Sequence, residues 1–201
     1  MGFTQFARSF LFICILGSIG GCAGNFVRPD TDSVKLGKSK PGEVTSLVSG
    51  QPTRRNVEVN NEKIDTIIYN YVGNVPFYGS VIPHRSLTYS FFHDVLVGEE
   101  FISTYDDERT EFDTNKVPQV RNGQTKDQVI SIMGAPSGKV LYPLIGDKNG
   151  SGLVYAYSYS RFAPLVSPSW SYLLIVTFDE KGVVTNISYK ENGKEVIAQR
   201  Q

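Results

Sequence analysis

Apolar residues at helical spacing predict a short helix near residue 125. The apolar positions i, i+3 and i+4 of this segment are Val129, Ile132 and Met133. Thr125 suits the N-cap, and Gln128 follows it at the spacing of a capping box. Gly134 and Pro136 end the helix, because proline cannot continue it. Such a short helix is marginal in water, so we expect it to pack on a sheet.

The same spacing recurs earlier in the chain and predicts another short helix. Its apolar positions are Val44, Leu47 and Val48. Gly50 and Pro52 follow them and precede Gly134 and Pro136 by 84 residues. This correspondence is the first sign of an internal repeat.

Runs rich in β-branched and aromatic residues follow each predicted helix. In the second half they are residues 153–159, 172–178 and 183–189, with a glycine-containing turn at 179–182. In the first half they are residues 64–72, 87–93 and 99–105, with a turn that ends at Gly98. A helix followed by a strand and a hairpin predicts the α+β class with an antiparallel sheet.

The matching order of these elements predicts a duplication. Gly98 and Tyr105 match Gly182 and Tyr189, again 84 residues apart. We therefore predict two tandem repeats, each of short helices packed on an antiparallel β-sheet, at residues 40–112 and 113–201. The alternative is that helix caps and tyrosine-rich strands coincide by chance. The strand tyrosines, which fit either half-buried packing or a binding surface, are Tyr69, Tyr71, Tyr155, Tyr157 and Tyr159.

The first residues have the pattern of a secretory signal that ends at a cysteine. Arg8 precedes a short apolar run at 10–16, and small residues lead to Cys22. This pattern resembles a bacterial lipobox, which implies a signal peptide at 1–21 and palmitate-type lipidation of Cys22. The alternatives are an ordinary secreted protein with a stray cysteine and a retained N-terminal anchor. Residues 22–39 read as a flexible tether.

Sorting rules of lipoproteins indicate the predicted location. Ala23 and Gly24 follow Cys22, and neither is aspartate. By resemblance to bacterial sorting, this favours anchoring at the periplasmic face of the outer membrane.

Composition and charge narrow the function classes. The 201 residues carry 20 Lys and Arg against 20 Asp and Glu, so net charge does not attract nucleic acid. Both cysteines, Cys14 and Cys22, lie in the N-terminal segment, which leaves the rest without a disulfide or a thiolate site. His93-Asp94 could form half of a metal or acid–base site, but the spacing suggests no third ligand. The sequence therefore predicts no catalytic residues, no metal and no cofactor, and hence no enzyme.

Two apolar loops occupy matching places between predicted strands, at 74–83 and 161–170. Both contain proline and aromatic residues, whereas surface loops are usually polar. A stiff aromatic loop loses little entropy on binding, so we predict that these loops bind a partner protein. The predicted contact residues are Phe77, Tyr78, Phe162, Leu165 and Trp170. The alternative is that the loops fold back and cover the sheet.

The second half of the chain resembles the SmpA/OmlA family of BamE-like outer-membrane lipoproteins. The resemblance covers about residues 120–190 and rests on the motifs at 123–129, 134–136 and 178–184. It implies two short helices on a three-stranded antiparallel sheet and a role, through protein–protein contacts, as an accessory factor in outer-membrane protein assembly or envelope integrity. Two such units also resemble the tandem architecture of β-lactamase inhibitor proteins. That likeness implies the alternative of an inhibitor or binder of a periplasmic enzyme.

Overall fold

The computed structural model describes residues 26, 28–30, 32–75, 77–165, 167–192 and 194–197. The predicted signal peptide, Cys22 and the start of the predicted tether lie outside the described residues. Within these ranges, no helix has the length and apolar character needed to span a membrane. The helices are Pro41–Leu47 (α1), the 3-10 helix Thr114–Gln119 and Lys126–Met133 (α2). The strands are Thr53–Val59 (β1), Glu62–Val72 (β2), His84–Phe92 (β3), Val95–Ser103 (β4), Gly138–Val140 (β5), Ser151–Ser160 (β6), Ser169–Phe178 (β7), Val184–Glu191 (β8) and Lys194–Ile197 (β9).

The nine strands form one continuous antiparallel sheet in the order β1 to β9, so each strand pairs with the next. The prediction of an α+β fold made of two tandem helix-and-sheet repeats is therefore wrong. The α-helices have seven and eight residues, and the fold is a β-rich single sheet. The predicted boundaries at 40–112 and 113–201 stay a prediction.

The short strand β5 explains why the sheet is continuous. It pairs with β4 through Gly98 and Val140, and with β6 through Gly138 and Val154. A Cβ on Gly138 would lie 2.3 Å from the carbonyl oxygen of Glu99, so the close approach of the β4 and β5 backbones requires glycine here. Three residues without an apolar pattern join the two halves of the sheet.

Helix α2 begins and ends as the sequence predicts. The main-chain N–H of Gln128 donates to Thr125 Oγ1 at 3.3 Å, and the N–H of Thr125 donates to Gln128 Oε1 at 2.8 Å. Gly134 follows the helix with φ of 86°, which favours glycine. Val129 and Met133 are buried, and Ile132 is half-buried against the same core.

Both α-helices pack on the same face of the sheet, which we call the helix face. The α2 core includes Tyr155, Leu174, Val176 and Phe178, and the α1 core includes Ile67, Tyr69, Tyr89 and Phe101. In α1, Val44 and Val48 are buried as predicted, but Leu47 is 39% exposed. The tyrosines predicted to share a face do so: Tyr69, Tyr155 and Tyr157 are buried there.

The first hairpin turns earlier than predicted. His93 and Asp94 form its two-residue turn with φ of 49° and 59°, and β4 begins at Val95. Gly98 lies inside β4, opposite Ser90, where Leu144 Cδ1 would be 2.4 Å from an added Cβ. The predicted turn ending at Gly98 and its match to Gly182 are therefore wrong.

The match of Tyr105 to Tyr189 is also wrong. Tyr189 lies inside β8, whereas β4 ends at Ser103, two residues before Tyr105. The early hairpin turn accounts for this, because it moves the whole of β4 towards the N-terminus relative to the predicted strand.

The other face of the sheet, which we call the open face, is partly covered by the loop at 141–150. Leu144 and Ile145 pack there with Val140, Val154 and Ala156. The loop is held to the hairpin between β1 and β2, where Asn60 Nδ2 donates to the carbonyl oxygen of Pro143 at 2.8 Å. The loop therefore covers the part of the open face formed by β5 and the neighbouring part of β6.

Candidate binding site at the loop tip

The two apolar loops meet and form one structure. We call segments 73–75, 77–83 and 161–165, 167–168 the loop tip. The N–H of Gly79 donates to the carbonyl oxygen of Phe162 at 3.0 Å, and the N–H of Phe162 donates to the carbonyl oxygen of Ser80 at 2.9 Å. The N–H of Ile82 donates to the carbonyl oxygen of Ser160 at 2.9 Å. A main-chain ladder thus joins loops from the two halves of the chain.

The loop tip exposes apolar side chains. Among the described residues, seven large hydrophobic side chains are exposed, and four of them belong to the tip. They are Phe77 at 68%, Tyr78 at 66%, Phe162 at 41% and Leu165 at 96% exposure. These four predicted contact residues therefore face solvent, although their partner-binding role stays a prediction. Concentrated apolar exposure of this kind marks interaction sites.

Trp170 lies in strand β7 and not in the loop where the sequence placed it. Its ring stacks on Tyr159, with centroids 4.9 Å apart and an angle of 14° between the planes. Tyr159 in turn lies 5.7 Å from the ring of Tyr157. Trp170 is half-buried and continues the aromatic row of the helix face towards the tip, so its contacts within the chain help to support the tip.

A groove of about 770 Å³ lies beside the tip. Six of its thirteen lining residues belong to the open face and carry hydroxyl, amide or imidazole groups: Asn70, His84, Ser158, Ser160, Ser169 and Ser171. Val72 and Ile82 supply apolar surface at its margin. The groove therefore offers hydroxyl, amide and imidazole groups next to the apolar tip, and Arg85 also belongs to its lining.

The two histidines occupy different surroundings. Burial lowers the pKa of His84 below its ordinary value, and a hydrogen bond to the backbone of Ile82 opposes the shift. His84 therefore serves as a neutral hydrogen-bonding group in the groove wall at neutral pH. His93 is exposed in the hairpin turn and stacks on Phe92 with ring centroids 3.9 Å apart. Within the described ranges, no three His, Cys, Asp or Glu side chains gather as a metal site.

The acidic stretch between the two halves of the sheet contributes carboxylates to ion pairs. Arg109 contacts Asp106 and Glu111. Arg85, on the helix face, contacts Glu108, which also accepts a 3.0 Å hydrogen bond from Ser103 Oγ. The Arg85–Glu108 pair holds the chain that leaves β4 against the sheet, whereas the contacts of Arg109 lie within that chain.

Glu100 is a residue that the sequence analysis missed. Side chains alternate between the two faces along a strand, and the next residue, Phe101, lies on the helix face. Glu100 therefore points to the open face, opposite Thr88 of β3, and follows the half-buried Glu99. Burial raises the pKa of its carboxyl group, and no nearby charge opposes this shift. Because the predicted strand began at residue 99, no pattern in the sequence indicated that Glu100 lies in the middle of the sheet.

Comparison with known proteins leaves the family open. No family model matches the sequence, and no curated protein matches it. A solved structure from Streptococcus mutans, provisionally described as a beta-lactamase inhibitor protein, is 10% identical. The match covers 84% of this chain and 92% of that chain with a TM-score of 0.38. A likeness at this level carries no argument, so the resemblance to the SmpA/OmlA family stays a prediction.

Proposed function

We propose that this protein is a non-catalytic binding protein of the cell envelope that holds a partner protein at the loop tip. The observation that supports this proposal is the joining of the two loops. Main-chain hydrogen bonds fix Gly79 to Phe162 and Ile82 to Ser160. The exposed apolar side chains are therefore presented on a connected framework and not on two independent loops.

The exposed apolar side chains supply the driving force for binding. Burying a large apolar side chain contributes about 1.5–3 kcal/mol. Burial of the four exposed side chains of the tip would offset part of the cost of association. Because the ladder orders the loops beforehand, little further entropy is lost when a partner binds.

The leading role is an accessory contact in outer-membrane protein assembly or envelope integrity. The resemblance to SmpA/OmlA lipoproteins supports this role, and the predicted lipid anchor at Cys22 would hold the protein at the periplasmic face of the outer membrane. Several acyl chains on one cysteine give stable anchoring. The partner in this role is another envelope protein.

The alternative role is binding or inhibition of a periplasmic enzyme. The exposure of Leu165, at 96%, favours it, because an apolar side chain that projects fully from an ordered tip can fill a cleft. The adjacent groove would then contact the rim of the cleft with hydroxyl and amide groups.

Site-specific crosslinking in the native envelope distinguishes these roles. A photo-reactive amino acid is placed at Phe77 or Leu165, with Leu47 on α1 as the exposed apolar control, and the crosslinked proteins are identified by mass spectrometry. Outer-membrane assembly proteins recovered from the tip positions support the leading role, and one soluble enzyme supports the alternative. Equal crosslinking from Leu47 would contradict binding at the tip.

A further inference from the structure

Strand β1 forms an edge of the sheet. Among the described strands it pairs with β2 alone, and six of its seven residues are exposed. The unpaired N–H and C=O groups of an edge strand are a template for pairing with another chain. We propose that β1 is a self-complementary edge at which two copies of this protein pair antiparallel.

The hairpin that joins β1 to β2 determines which backbone groups point outward. Asn60 and Asn61 form a two-residue turn with φ of 52° and 63°, and Val59 lies opposite Glu62. In such a hairpin the closing pair is hydrogen-bonded, and bonding then alternates along the strands. Val59 and every second residue before it therefore direct their main-chain N–H and C=O groups to β2. The outward N–H and C=O groups belong to Arg54, Asn56 and Glu58.

A two-fold axis at Asn56 satisfies all of these outward groups. It places Asn56 opposite Asn56 of the second copy and Arg54 opposite Glu58 of the second copy. Outward-facing residues then meet outward-facing residues, as an antiparallel ladder requires. Each pair exchanges two main-chain hydrogen bonds, so the three pairs make six.

The charges favour the same alignment. Arg54 and Glu58 lie on one face of β1, and the two-fold axis brings each against the opposite charge of the second copy. Unlike charges directly opposite one another across strands are favourable, and like charges are unfavourable. Centring the pairing on Arg54 would place two arginines opposite each other, and centring it on Glu58 would place two glutamates opposite each other. The axis at Asn56 therefore matches both the hydrogen bonds and the charges.

The other face of β1 fits the same pairing. Val57 is 42% exposed and would lie opposite Arg55 of the second copy, whose aliphatic stem can cover it. Antiparallel pairing would also place the two loop tips at opposite ends of the joined sheet. Both tips would stay free to bind their partners.

Charge reversal tests the pairing on the full-length chain in detergent. Sedimentation velocity over a range of concentrations compares the native chain with Arg54→Glu, Glu58→Arg and the double variant Arg54→Glu/Glu58→Arg. We expect the native chain to dimerise as its concentration rises. Each single variant should dimerise about tenfold more weakly or worse, because both ion pairs become repulsive. The double variant should recover, and the two single variants mixed together should form a heterodimer.

Lys181→Glu is the matched control, because it reverses a charge in the same sense at an exposed residue in the turn after β7, away from β1. It should dimerise at the native level. Thermal unfolding of each variant verifies that these exposed substitutions leave the fold intact. A native chain that stays monomeric throughout, single variants that dimerise like the native chain, or a double variant that fails to recover would each overturn the proposal.

Discussion

The main-chain N–H of Gly79 donates a hydrogen bond of 3.0 Å to the carbonyl oxygen of Phe162. The two residues belong to loops in different halves of the chain. The N–H of Phe162 in turn donates a hydrogen bond of 2.9 Å to the carbonyl oxygen of Ser80, the residue after Gly79. The position of an exposed aromatic ring on one loop thus depends on the backbone conformation of the other.

Gly79→Ala should weaken this connection. Gly79 has φ of 85°, a conformation that costs an L-residue about 1–2 kcal/mol. We expect the free energy of unfolding to fall by about 1 kcal/mol and the amide of Phe162 to exchange faster with solvent. Urea unfolding and hydrogen exchange measure the two effects.

Gly42→Ala in α1 is the control for this substitution. No atom lies within 4 Å of an added Cβ there, and the residue is helical. Alanine should leave stability unchanged or raise it by up to about 1 kcal/mol. Equal losses from the two substitutions would contradict the role given to Gly79.

Gly138→Ala should damage the junction between β4 and β5. The added Cβ would lie 2.3 Å from the carbonyl oxygen of Glu99, which belongs to the backbone and has little freedom to move. Overpacking of this kind costs about 1–3 kcal/mol. Gly146→Ala, with no atom within 4 Å, is the control. If urea unfolding gives both variants the same stability, the continuity of the sheet does not depend on this contact.

The protein should lose stability at alkaline pH because two of its tyrosines are buried. Burial raises the pKa of Tyr89 and of Tyr155 to about 12 each, whereas tyrosine in an unfolded chain titrates near 10. Between about pH 10 and 12 the unfolded chain therefore binds fewer protons than the native chain, and stability falls as pH rises. The stabilisation is complete below about pH 10 and is lost as pH passes about 12.

Replacement of both tyrosines by phenylalanine should flatten this pH dependence. Urea midpoints measured from pH 8 to pH 12 test it. Tyr155 Oη donates to the carbonyl oxygen of Gly134 at 3.1 Å, so its replacement should also cost about 1 kcal/mol at neutral pH. A double variant as sensitive to alkaline pH as the native chain would show that other groups cause the loss.

Glu100→Gln should stabilise the protein at neutral pH. Burial raises the pKa of the Glu100 carboxyl group, so the fold favours its protonated form. The native chain should therefore lose stability as pH rises from about 4 through that raised value, whereas glutamine, which does not ionise, removes this loss. Unfolding free energies at pH 4 and pH 7 measure the effect, with Glu180→Gln in the exposed turn after β7 as control. A smaller stability of Glu100→Gln at pH 7 would indicate that the carboxylate is paired.

Local patterns in the sequence were sufficient to predict α1 and α2, but not the 3-10 helix Thr114–Gln119. Thr125 and Gln128 cap α2 as expected, because capping depends on residues three positions apart. Most of β2, β3, β6, β7 and β8 was also predicted, because runs of β-branched and aromatic residues favour strands.

The rest of the fold depends on contacts that carry no local signal. Strand β5 has three residues, too few for a pattern, and its pairing with both neighbours gives a single sheet where two repeats were predicted. Strand β1 was missed because its side chains are exposed on both faces. The ladder between Ser80 and Phe162 uses main-chain groups, which every residue type supplies, so the sequence could suggest the apolar loops but not their joining.

The affinity of the captured partner for tip variants tests the central claim most directly. Phe77→Ser/Leu165→Ser removes two side chains that are 68% and 96% exposed, and Leu47→Ser, at 39%, is the control on α1. The account predicts that the tip variant binds its partner at least about tenfold more weakly at an unchanged melting temperature, since each lost apolar contact is worth about 1 kcal/mol or more. The control should bind at the native level. Native affinity of the tip variant would contradict the account.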